Sequence, residues 1–155
     1  MKPLSSLQGP ERRMNELLAQ FATLALPAAD WTHEAHLWVA FGHQQQHEFY
    51  DACCRIKAGI LLLNHAHGTP NHGSRGYHET LTFFWMSVLR LWREQQPEGQ
   101  ALAAFAGEFL HSGLASPQLP LQFYRKEELG SPAFRAFAQP PSLQPLGWVQ
   151  LEALA

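Results

Sequence analysis

The 155 residues carry a formal charge of −2, with 46% apolar and 15% charged side chains. That balance excludes a disordered chain, lacks the basic stripe a nucleic-acid binder needs, and suits one domain rather than two. No apolar run approaches the roughly 20 residues that cross a bilayer, and Met1 to Ser6 lack the apolar stretch of a signal peptide. The expectation is a cytoplasmic protein with neither membrane nor nucleic-acid partner, and a homo-oligomer is left open. Cys53 and Cys54 are adjacent, where a bridge would be strained, so they are read as inert reduced thiols. Nine histidines are many for this length, and histidine is the side chain most often recruited for metals and proton transfer.

The apolar period is helical throughout. A first helix over 11–24 places Met14, Leu17, Leu18, Phe21 and Leu24 on one face, and Pro27 closes it. Asp30 or Thr32 caps a second helix reaching about residue 45, because a short oxygen-bearing side chain satisfies the free N–H groups of the first turn. A third, over 48–65, carries Phe49, Cys53, Ile56, Ile60 and Leu63 at helical spacing. Three glycines and a proline within 68–76 mark the clearest loop. A fourth helix over 77–95 aligns Leu81, Trp85, Val88, Leu89 and Trp92; Pro97 opens a fifth, to His111, with Leu102, Phe105 and Phe109 inward. Seven of the 11 prolines lie from Pro97 onward. The expected fold is therefore all-α: a single bundle of about five main helices over 11–111. A proline-rich segment over 112–155, with short turns near Glu127 and Phe134, wraps it.

Short connections favour antiparallel neighbours, which brings the starts of the second and fourth helices to one end of the bundle. His33 and His36 stand three apart on one helix face, and His78 heads the stripe of the fourth helix. Helix N-termini disfavour protonated imidazoles, and neutral imidazoles are metal ligands. His33, His36 and His78 are accordingly expected to share one divalent transition metal, zinc, iron, nickel or manganese. Tyr77 and Glu79 are candidate catalytic residues, although Glu79 lies about 100° around its helix from His78. Glu34, Glu108 and His111 are possible supporting groups, whereas His43 and His47 are assigned to the surface at the far end. His65, His67 and His72 belong to the loop region. A metal-dependent hydrolase or oxygenase acting on a small molecule follows from this reading. One alternative is a metal-free pocket in which His78 and Glu79 do acid–base work, with His78 also able to cap its own helix. Another is a helical interaction module whose histidines only pack.

Three stretches resemble a family of small bacterial helical proteins without an assigned reaction. They are Trp31–Ala40 (aromatic-x-His-x-x-His-Leu-x-x-Ala), Tyr77–Thr82 (Tyr-His-Glu-Thr-Leu-Thr) and Tyr124–Arg135 (Tyr-x-x-Glu-x-Leu-x-Ser-Pro-x-x-Arg). The chain departs from that pattern at Ala35 and Trp38, where an acid or polar residue and an arginine are expected. The resemblance singles out residues and implies nothing about the reaction.

Overall fold

The computed structural model describes residues 9–155, apart from the side chains of residues 102 and 103, so the inward placement expected for Leu102 lies outside the described residues. Among these residues the structure is all-helical, and its one β-bridge, between His72 and Arg75, is isolated.

Helix α1 (Gly9–Ala22) buries Met14, Leu17, Leu18 and Phe21, the face its spacing predicts. It stops earlier than expected. Leu24 takes a left-handed conformation (φ 57°), the Ala25 N–H returns to the Gln20 carbonyl at 2.8 Å, and that of Leu24 returns to Phe21. This is the Schellman termination, with leucine where glycine usually sits. It leaves Leu24 exposed rather than on the buried stripe.

Helix α2 (His33–Gln46) is capped by Thr32, whose hydroxyl accepts the Ala35 N–H at 3.2 Å. Leu37, Trp38, Val39, Ala40 and Phe41 are all buried, so α2 is apolar nearly all round and runs through the core. It packs on α1, on α3 (Phe49–Ala66), on α4 (Glu79–Glu94) and on α5 (Leu102–His111). At Gly42 a Cβ would collide with the Leu18 side chain, so glycine sets the approach of α1 to α2. His43 departs from its expected surface position. Both ring nitrogens are buried without a partner, and the ring packs against Phe21 and His47.

Helix α4 buries Thr80, Phe84, Met86, Val88 and Leu89, while Leu81 and Trp85 stay half-buried. Helix α5 begins at Leu102, not Pro97: Gly99 at φ 83° breaks any helix running from the proline. Beyond it, 3-10 turns at Gly113–Ala115 and Leu119–Gln122 lead to three short helices, α6 (Lys126–Leu129), α7 (Pro132–Ala136) and α8 (Trp148–Glu152). Helices α7 and α8 pack on α4. No helix among the described residues is long and apolar enough to cross a membrane.

Candidate small-molecule cavity

A cavity of about 400 Å³ opens where α2, α3 and α4 meet. Helix α2 and the residue before its cap contribute Trp31, His33, His36, Leu37 and Ala40; α3 contributes Ile56, Ile60 and Asn64. The loop and α4 contribute Gly76, Tyr77, His78, Leu81, Thr82, Trp85 and Met86. The three histidines and Tyr77 singled out from the sequence thus line one space, and Glu79 does not. Gly76 sits at φ 84°, where a side chain would also strike the Pro70 carbonyl, so glycine is required for this turn into the cavity wall.

Each imidazole is held by a backbone carbonyl, which can only accept, and this assigns its proton. His36 donates from Nδ1 to Thr32 O at 2.7 Å and stacks on Trp31 at 3.6 Å between ring centres. His33 donates from Nε2 to Ala115 O at 2.9 Å and meets Trp85 edge-on. Nε2 of His36 and Nδ1 of His33 are left as lone-pair acceptors without a partner among the described residues. His78 differs. Its Nε2–H donates to Leu129 O at 2.8 Å, and its Nδ1 accepts the Leu81 N–H at 3.2 Å as the cap of α4. Both of its nitrogens are committed, so in this arrangement it offers no lone pair to a metal shared with His33 and His36. Among the described residues no group of three or more His, Cys, Asp or Glu side chains is placed to hold a metal ion.

Burial sets the charge state of the wall. It lowers the His36 pKa to about 4 against the counter-effect of the Thr32 carbonyl, with His33 adding a further lowering. Burial likewise lowers the His33 and His78 pKa values, in each case partly offset by the carbonyl the ring contacts. All three imidazoles are therefore neutral near pH 7.

Glu79 points to Lys57, with Oε2 2.8 Å from Nζ; the approach is oblique, so the pair acts through charge rather than an aligned hydrogen bond. The same ammonium lies 5.7 Å from the centre of the Tyr77 ring. Burial, and then the nearby Glu79 carboxylate, push the Tyr77 pKa up. Glu34 accepts from the Trp38 indole, and His111 bonds its own helix at Gly107 O; neither lines the cavity, and nor does Glu108. His67 donates to Leu26 O, and His72 sits in the turn with Arg75.

The start of α4 is instead where the C-terminal segment attaches. The Thr80 hydroxyl donates to the carbonyls of Phe134 (2.6 Å) and Phe137 (2.9 Å) and accepts the Gln139 N–H. Arg135 donates to the carbonyls of Gly76 and Tyr77. The residue types in Tyr77–Thr80 and Tyr124–Arg135 gave no sign of this pairing, because the acceptors are backbone carbonyls more than 50 residues away. Trp31, Trp85 and Asn64, also absent from the sequence-derived site, join it through topology alone.

Two larger hollows lie elsewhere. One, of about 770 Å³, lies around Gln44–Phe49 and Gln96–Gln100; of its charged residues Arg90 pairs with Glu94, and Arg93 donates to Gln44 O. The other, of about 720 Å³, runs between Phe83 and Pro140. Comparisons with protein-family models, curated proteins and solved structures find no match to this chain.

Proposed function

We propose that the cavity between α2, α3 and α4 binds a small molecule, with His36 and His33 as its hydrogen-bond acceptors. The setting proposed for it is a cytoplasmic helical bundle wrapped by its proline-rich C-terminal segment. One observation carries the reading: two neutral imidazoles, each with one nitrogen fixed by a carbonyl and the other open, stand on the wall of a largely apolar space. At neutral pH His36, with a pKa of about 4, is a hydrogen-bond acceptor and a weak base, which supports recognition ahead of acid–base chemistry. His78 and Glu79 receive less support as an acid–base pair, since His78 is committed at both nitrogens and Glu79 faces Lys57.

A fragment screen read on the indole N–H resonances of Trp31 and Trp85 tests this. Hits are expected to shift both indoles and to lose binding in Leu81→Trp, which fills the space. Hits that persist unchanged in that variant would sink the reading.

A second reading keeps a metal on His33 and His36 alone. What favours it is the carbonyl behind each ring, the arrangement that orients ligating histidines in metal sites. Zinc, iron, nickel or manganese held there would leave open positions for hydrolytic or oxygen chemistry. Element analysis of protein purified without a histidine tag separates the two. About one metal ion per chain, lost in His33→Ala or His36→Ala, would favour the metal.

A further inference from the structure

Several of the polar hydrogens around the cavity are engaged, those of all three histidines among them. The imidazole N–H groups of His33, His36 and His78 go to Ala115, Thr32 and Leu129 carbonyls. The Thr82 hydroxyl donates to His78 O, and the Asn64 amide gives one of its two hydrogens to Asn71 Oδ1. The open nitrogens of His33 and His36 are the acceptors that remain for a ligand. The indole N–H groups of Trp31 and Trp85 have no partner among the described residues and remain as donors, beside the Tyr77 hydroxyl and the second Asn64 amide hydrogen. Among the described residues that line the space none carries a charge at neutral pH, and aromatic and aliphatic side chains form most of its walls.

We infer that the ligand of this cavity is an uncharged aromatic molecule bearing a hydroxyl or comparable hydrogen-bond donor, with His36 Nε2 accepting from it. The inference rests on the reading of the cavity as a ligand site and names the class of molecule it selects. An anion would meet lone pairs and no cation. A cation would lose its water against an apolar wall without a carboxylate to replace it. A neutral ring with a donor buries its body against Trp31, Trp85 and Ile60, and pairs its one polar hydrogen with an acceptor that otherwise lacks a partner. A hydroxyl oxygen can in turn accept from an indole.

Calorimetric and ligand-observed NMR titrations of the full chain with phenol, toluene, benzoate and benzylammonium at neutral pH test it. Phenol is expected to bind about 3–10-fold more tightly than toluene, the usual value of one neutral hydrogen bond, and at least about tenfold more tightly than either ion. His36→Phe keeps the stacking on Trp31 and should bring phenol and toluene to equal affinity. In the unaltered protein, phenol and not toluene should move the ring-nitrogen resonances of His36, a readout independent of how that variant folds. Toluene binding as well as phenol, or benzoate or benzylammonium binding as tightly, overturns the inference and leaves the cavity reading standing. If none of the four binds, the cavity reading falls and the inference with it.

Discussion

The starts of α2 and α4 look alike in sequence and do opposite things. Each places histidine and glutamate at a helix N-terminus, Thr32-His33-Glu34 in one and His78-Glu79 in the other. At α4 every nitrogen of the histidine is engaged: His78 caps its own helix and reaches across to Leu129, and Thr80 ties down Phe134, Phe137 and Gln139. At α2 the cap is supplied by Thr32, which relieves the histidines of that task and leaves each with one nitrogen free. A histidine that serves as cap and tether is spent on the fold, and one that a separate cap has released can serve a ligand. The distinction is made by neighbouring residues and not by the histidine itself.

The comparison is tested hardest by paired alanine variants. His78→Ala removes a helix cap, a hydrogen bond to a distant carbonyl and a buried ring, and should destabilise the protein by about 2–4 kcal/mol. For a chain of this size that corresponds to a fall in Tm of roughly 5–15 °C. His36→Ala loses a local bond within its own turn and a stack on Trp31; its cost in Tm should be clearly smaller while ligand binding is lost. Thermal unfolding of the two variants beside a fragment titration decides the matter. Equal stability losses, or ligand binding lost only in a still-folded His78→Ala, would erase the difference between the two helix starts.

An acid titration sharpens the α2 side. His36 and His43 are both held neutral by burial, with pKa values lowered to about 4 from the unfolded value of about 6.5. The unfolded chain therefore binds more protons across that window, so stability is greatest above about pH 6.5 and is lost as pH falls toward 4. His47 and Arg55 add repulsion against a charged His43. Urea unfolding at a series of pH values should show this decline, and it should be shallower in His43→Phe and in His36→Phe than in the unaltered chain. A slope unchanged in both variants would place the acid sensitivity elsewhere, for example in His33 and His78, whose pKa values burial also lowers.

Much of this was legible in the residues, because it depends on local spacing. The i, i+3 pair His33 and His36, the stripe headed by His78 with Tyr77 beside it, and the expectation that both helix starts share one end account for four of the cavity's polar residues. The position of Glu79 off that stripe follows from helical geometry in the same way. What the residues did not disclose was the state of the ring nitrogens of His33 and His78. That is set by Ala115 and Leu129 carbonyls, 82 and 51 residues away, and a backbone carbonyl has no signature in sequence. Burial of His43 was hidden for a related reason: α2 packs on four other helices, so no continuous polar face marks which of its positions are exposed. The end of α1 at Ala22 depends on a left-handed leucine, which residue preference argues against.

The smallest expected effect concerns Glu79, and it asks whether any carboxylate at the α4 start reaches a ligand. Its partner Lys57 keeps 46% of its side chain exposed, so water and salt screen the pair heavily. Glu79 also gains a little from lying in the first turn, where the helix dipole favours negative charge. Glu79→Gln keeps the shape of the side chain and removes only the charge, so the cost should stay within about 1 kcal/mol and shrink in high salt. Ligand affinity should be unchanged, because the carboxylate points to Lys57 and does not line the cavity. The control variant is Lys57→Met, which removes the same ion pair from the other side. If both variants lose the same small stability and keep full binding, Glu79 belongs to the fold, as His78 does. If Glu79→Gln alone abolishes binding at unchanged stability, the carboxylate swings into the cavity when a ligand arrives. The α4 start would then share the work assigned above to α2.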